Sequence, residues 1–135
     1  MNSFTFCSPT EVIFGKGTEL KAADEIIKHS GTRVLIVYGG RSAVKSGLLG
    51  KIQNSLKNAG LEYISVGGVK PNPRVSLVRE AVKKAIEFKA DFILAVGGGS
   101  VIDTAKGIAH GTANPETDVW KFWIHEAELK KSMPV

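Results

Sequence analysis

The densest run of chemically informative residues lies between Phe92 and Lys106, reading Phe-Ile-Leu-Ala-Val-Gly-Gly-Gly-Ser-Val-Ile-Asp-Thr-Ala-Lys. Gly97, Gly98 and Gly99 have no side chains to hold another molecule away, so the backbone here can approach a phosphate closely. Ser100 follows at once, with apolar residues at Val101, Ala105, Ile108 and Ala109 in the spacing of one helix face. The first N–H groups of a helix have no partner within it, so a bare loop feeding a helix start suits an anion. A structural alternative exists for the polar residues. Ser100 and Asp103 fit a capping box, with Ser100 as N-cap and Asp103 at N3.

The pattern is neither of the two common nucleotide signatures. Gly97 and Gly99 match the first two places of G-x-G-x-x-G, but Ile102 stands at the third. A P-loop would need Gly-Lys-Ser/Thr, which does not follow. Gly15-Lys16-Gly17-Thr18 looks closer to one, yet Gly17 follows Lys16, and Thr10 stands where the first loop glycine belongs. A second glycine loop strengthens the anion reading. The apolar segment Arg33 to Tyr38 runs into Gly39-Gly40-Arg41-Ser42, and glycines after two parallel strands mark where open α/β sheets bind ligands. One loop would hold a pyrophosphate while the other faces the adenosine ribose. An acid at this strand end would receive a ribose 2′-hydroxyl and repel a 2′-phosphate. The chain instead has Arg41, whose paired N–H donors suit a phosphate, and Ser42, which adds a hydroxyl. This predicts NADP(H) rather than NAD(H).

The elements that must position these loops alternate regularly. A short N-terminal hairpin is expected from Ser3–Cys7 and Glu11–Phe14, joined through Ser8-Pro9-Thr10. A helix through Leu20, Ala23, Ile26 and Ile27 ends at Ser30-Gly31. One helix follows Ser42 through Val44, Leu48, Leu49, Ile52 and Leu56, closing at Gly60. Leu61 to Val66 is a third strand, and the loop Gly67 to Pro73 leads to a helix over Arg74 to Lys89. Alternation of this kind implies right-handed crossovers, hence an α/β fold with a Rossmann-like parallel sheet flanked by helices. Past Asn114-Pro115 a short aromatic helix near Asp118 to Trp123 is expected, with Trp120 and Trp123 as its apolar contacts. Met133-Pro134-Val135 then ends the chain without a strand or cap, so it reads as cut rather than completed.

Composition narrows the classes further. At 135 residues there is room for one domain with a core, so residues 1–135 read as one dinucleotide-binding domain. Apolar residues make up 43% and charged residues 23%, ordinary for a globular protein. Net charge is +5, but Arg79, Lys83 and Lys84 line the outer side of a helix whose inner side carries Val78, Val82, Ala85 and Ile86. Spread in this way, the charge argues against a nucleic-acid surface. No apolar run reaches membrane-spanning length, and Cys7 is alone, packed in or beside a strand. Both point to a cytoplasmic protein.

These residues resemble the N-terminal domain of the iron-containing (group III) alcohol dehydrogenases, in the branch of NADP-dependent butanol dehydrogenases and aldehyde reductases. The matching motifs are Phe14-Gly15-Lys16-Gly17, Tyr38-Gly39-Gly40, Pro71-Asn72-Pro73 and Gly97 to Asp103, in the family's order along nearly the whole chain. The resemblance implies that Gly98, Gly99 and Ser100 hold the coenzyme pyrophosphate, with Asp103 toward the nicotinamide. Asn72 would line the groove, and Gly39, Gly40, Arg41 and Ser42 would surround the adenosine ribose. It further implies hydride transfer between a primary alcohol and an aldehyde polarised by iron or zinc, and a homodimer for the full-length protein. In that family one aspartate and three histidines of a following helical domain bind the metal. Here only His29, His110 and His125 are present, each reading as a surface or capping histidine, so no metal ligand or catalytic residue is assigned within these 135 residues, and the chain alone is expected to be inactive. A nucleotide-binding module without chemistry and a glycerol-dehydrogenase-like enzyme are the alternatives.

Overall fold

The structure is a computed structural model and describes Ser3 and residues 5–135. Its centre is a parallel sheet of β1 (Arg33–Tyr38), β2 (Glu62–Val66) and β3 (Phe92–Val96), in the spatial order β2-β1-β3. Val34 pairs with Tyr63 on one side and with Phe92 on the other. Parallel strands need long return paths, and helices supply them. A 3₁₀ turn (Thr18–Lys21) and α1 (Ala22–Lys28) precede β1. The segments α2 (Ser42–Lys45) and α3 (Leu48–Asn58) link β1 to β2, and α4 (Val75–Phe88) links β2 to β3. Helix α5 (Gly99–Ala113) follows β3, and α6 (Trp120–Trp123) comes after a turn.

Because β1 is covered on both faces, its residues are apolar without alternation, as central parallel strands are. Val34 and Ile36 pack toward Ile26 of α1 and Leu56 of α3. Leu35 and Val37 face Val78, Ala81 and Ala85 of α4 and Ala105, Ile108 and Ala109 of α5. Each such fully buried branched side chain contributes about 1.5–3 kcal/mol. These two layers hold the carboxyl ends of β1 and β3 beside each other.

At the amino ends of the strands a polar network does the fixing. The Asp91 carboxylate accepts the N–H groups of Thr32 (2.9 Å) and Arg33 (2.8 Å) and the Thr32 hydroxyl. Arg33 Nε donates to the Phe88 carbonyl at 2.8 Å, its guanidinium lies over the Phe88 ring, and it pairs with Glu62. Burial pushes the Asp91 carboxyl up, but these hydrogen bonds outweigh it and hold it below the usual aspartate value.

Four expectations are corrected. The N-terminal hairpin is not formed among the described residues, although Phe4 lies outside them. Residues 5–14 are exposed and irregular, and Phe14 is 98% accessible. A lone two-stranded ribbon is marginal in water, and this one has no third strand or core to rest on. Cys7 is accordingly exposed rather than packed beside a strand. The helix expected from Ser42 to Gly60 is broken in two at Gly47, whose φ of 75° belongs to the left-handed region. The tail is better anchored than expected. Ile93 N–H donates to the Pro134 carbonyl (3.0 Å), Met133 N–H to Ala109 (3.4 Å), and Asn114 Nδ2 bridges the carbonyls of His110 and Lys131.

Candidate functional site

The sheet order creates one special edge. From β1 the chain leaves toward β2, whereas β3 lies on the opposite side and leaves toward α5, so the loops after β1 and β3 diverge and open a crevice between them. Both glycine loops fall at this crevice. Val101, in the first turn of α5, ties them together. A β-carbon on Gly39 would stand 3.4 Å from Val101 Cγ2, and one on Gly97 only 2.6 Å from the same atom. No side chain fits at Gly97 without moving Val101, and its φ of 156° adds to the preference for glycine. The third loop joins through its start. Gly68 N–H donates to the Gly39 carbonyl at 3.3 Å and Val69 N–H to that of Tyr38 at 3.5 Å.

The remaining glycines are open rather than tight. A β-carbon on Gly40, Gly98 or Gly99 would meet nothing within 4 Å. Gly98 is the N-cap of α5, in extended conformation, and its carbonyl accepts the N–H groups of Val101 and Ile102 at 3.0 and 3.1 Å. The N–H groups of Gly99 and Ser100 precede those bonds and have no partner in the helix. The capping box is not formed. Ser100 lies inside the first turn, no side chain caps the helix, and the Ser100 carbonyl accepts the Thr104 hydroxyl at 2.7 Å. A capping box therefore does not account for Ser100 and Asp103. A pyrophosphate fits these features: free backbone donors, open glycine surface and no carboxylate in the first turn.

Arg41 is the exposed N-cap of α2, and Ser42 is its first residue. Arg41 and Lys45 form no ion pair among the described residues, so the β1 side of the crevice carries uncompensated positive charge. Asn72, exposed between Pro71 and Pro73, has a φ of 59°. Asparagine is one of the few residue types that tolerates this left-handed conformation, which costs about 1–3 kcal/mol and concentrates at functional sites.

A cavity of about 450 Å³ lies next to the crevice and was missed by the sequence reading. Asp103, Lys106, Gly107 and His110 line one side, Pro73 and Val75 another, and Trp120 and Trp123 a third. The signal was available, since positions 103, 106, 107 and 110 share one helical face. His110 is one of the residues lining the cavity. It lies in the last turn of α5, half-buried, and its Nδ1 is 2.9 Å from the Ser132 hydroxyl. Burial holds its pKa below the ordinary histidine value, and the Lys106 charge adds to the effect.

Metal-ligating atoms come together at one place among the described residues, where Glu11, Glu25 and His29 lie within 4.8 Å of one another. This cluster does not fit a catalytic ion. The Lys28 ammonium already sits between the carboxylates, 2.5 Å from Glu11 and 3.3 Å from Glu25, on the exposed side of α1. Neither His110 nor His125 joins it.

An open parallel sheet with glycine loops and a bare helix start at its switch point is the architecture that holds nucleotides in α/β proteins. The family described as iron-containing alcohol dehydrogenase matches residues 9–135, and the chain belongs to it. It is 43% identical over 134 residues to the probable NADH-dependent butanol dehydrogenase 1 of Bacillus subtilis, covering 99% of this chain and 34% of that protein. It is 41% identical to the NADPH-dependent aldehyde reductase YqhD of Escherichia coli, covering 100% of this chain and 34% of the reductase. The crystal structure of NADH-dependent butanol dehydrogenase A from Thermotoga maritima superposes with a TM-score of 0.94 at 43% identity, over 99% of this chain and 33% of that one. The chain thus spans about a third of the length of these relatives.

Proposed function

We propose that residues 1–135 form the coenzyme-binding part of an alcohol dehydrogenase that interconverts primary alcohols and aldehydes, with NADP(H) as coenzyme. The observation that carries this reading is the open cradle at the β1/β3 crevice, where Gly98 and Gly99 leave space and the N–H groups of Gly99 and Ser100 have no partner in the helix. The bound nicotinamide supplies the hydride. The chain's own residues bind and orient: backbone from Gly98 to Ser100 holds the pyrophosphate, and Asn72 and Asp103 line the groove beyond it. Gly39, Gly40, Arg41 and Ser42 surround the adenosine ribose. Similar proteins divide by name between NADH and NADPH, so the coenzyme preference rests on this chain's own residues. Arg41 is a fixed charge without an acidic neighbour in α2, and it suits a 2′-phosphate. No helix of the described residues is long and apolar enough to cross a membrane, and we place the protein in the cytoplasm.

Titrating NADPH and NADH against the chain by coenzyme fluorescence tests the reading. NADPH is expected to bind roughly ten-fold tighter or better, and Arg41→Asp to erase the difference. Equal affinity before the mutation sinks the NADP(H) assignment. A second expectation concerns chemistry. Because the Glu11, Glu25 and His29 donors do not fit a carbonyl-polarising ion, the 135-residue chain given butanal and iron or zinc should leave NADPH unoxidised. Metal-dependent turnover would show that the reacting groups lie within it.

A further inference from the structure

The cavity beside the crevice shares Asp103 with the coenzyme groove, but the rest of its walls are unlike the cradle's. Val75 and Val78 of α4 form an aliphatic side, and the indoles of Trp120 and Trp123 face it across α5. The indoles meet edge to face, with ring centroids 5.9 Å apart and planes at 75°. They remain 45% and 43% exposed, a large aromatic surface left in contact with water. Gly107 forms the floor. A β-carbon there would stand 2.9 Å from Trp123 Cζ2 and 3.4 Å from Val78 Cγ1, so Trp123 lies against bare helix backbone. The volume of about 450 Å³ falls within the range, on the order of 300–1,000 Å³, typical of small-molecule sites.

Position links the cavity to the cradle. Asp103 lines it and lies about one helical turn, roughly 6 Å of rise, beyond Gly99. Asp103 and Thr104 stand at the end nearest the coenzyme, while the indoles, with Lys106 and His110 beside them, line the wall farther along α5. We propose that this cavity receives the carbon tail of the substrate, and that Trp120 and Trp123 select aromatic alcohols and aldehydes over short aliphatic ones. The inference rests on the coenzyme reading above, which places the reacting end of the substrate at the Asp103 end of the cavity. A flat ring presents a face to one indole and an edge to the other, the two geometries aromatic pairs prefer. A four-carbon chain fills only a fraction of the space and leaves both indoles wet.

Trp120 and Trp123 are the only two tryptophans in the chain, so intrinsic emission reports on the cavity directly. Benzyl alcohol titrated into the chain should change that emission saturably, with affinity roughly ten-fold or more above that of 1-butanol. This comparison needs no variant and decides the matter alone. Equal responses to the two alcohols, or no saturable response to benzyl alcohol, overturn the proposal. Val75→Phe, which fills the cavity from α4, should weaken benzyl alcohol at least roughly ten-fold while leaving the NADPH titration unchanged. Undiminished benzyl alcohol binding in a folded Val75→Phe chain also overturns it. If benzyl alcohol fails while NADPH binds, the cavity assignment falls alone. If benzyl alcohol binds and NADPH does not, the coenzyme reading falls and takes the substrate role with it.

Discussion

The two ends of the same three strands are built on opposite principles. At the amino ends, Asp91 accepts three donors and Arg33 binds a carbonyl, an aromatic face and a carboxylate at once, so nearly every polar group nearby is engaged. At the carboxyl ends, glycines replace side chains, no side chain caps α5, and two helix N–H groups lack a partner in the helix. One end satisfies its hydrogen bonds internally and is closed. The other leaves donors for something else to satisfy. Such donors lose little while exposed to water, and they become strong sites when an anion displaces that water. Internal hydrogen bonding and free donors are thereby placed at opposite ends of one sheet, where a change at one need not disturb the other.

Substitutions at each end test that division. The largest effect is expected from Gly98→Val. Its β-carbon meets no protein atom within 4 Å, so melting should change by only a few degrees, whereas the branched group occupies the cradle. NADPH affinity should fall by at least roughly a hundred-fold; retained binding would remove the cradle from the site. Gly97→Ala should break the separation, because its β-carbon presses on Val101 beneath both loops. A loss of about 2–4 kcal/mol in chemical denaturation is expected, with weaker coenzyme binding as well. Asp91→Ala should do the converse. Leaving three donors without their acceptor costs about 2 kcal/mol, with NADPH affinity unchanged in the folded chain.

The smallest expected effect lies between the two ends, at His110. Its pKa in the folded chain is below the unfolded value of 6.5, so the fold favours the neutral ring. That contribution is fully present above pH 6.5 and is lost as pH falls through the lower folded value. His110→Gln should therefore flatten the fall in Tm between pH 7.5 and pH 5, by about 1–2 °C given the ring's partial exposure. An unchanged slope would mean that the imidazole stays solvated.

Legibility in the sequence followed how local the cause was. The strands Arg33 to Tyr38 and Phe92 to Val96 were readable to the residue, because burial on both faces demands an unbroken apolar run. The glycine loops were readable because no other residue has their backbone freedom. The hairpin misreading has the opposite origin. Ser3–Cys7 and Glu11–Phe14 have strand-like residues, but a ribbon depends on what it packs against, and residues 5–14 pack against no core. Likewise Ser100 and Asp103 had capping-box spacing, yet Gly98 took the cap because the loop's extended backbone ends there. The cavity was only half legible. Its α5 wall follows from helical period, but the approach of Trp120, Trp123 and Val75 is tertiary and leaves no mark at short range.

The strand order also sets the order in which the sheet can be assembled. Val34 must find Tyr63 for one neighbour and Phe92 for the other, and the second partner is twice as far along the chain. Doubling the loop adds only about 0.6 kcal/mol of closure entropy, a small thermodynamic penalty but a real kinetic one. As the chain emerges from synthesis, β1, α3 and β2 can pair before β3 exists, leaving the apolar edge of β1 unpaired until Phe92 to Val96 arrive. The crevice is the seam closed in that last step, so the open cradle comes into being only when the sheet is complete.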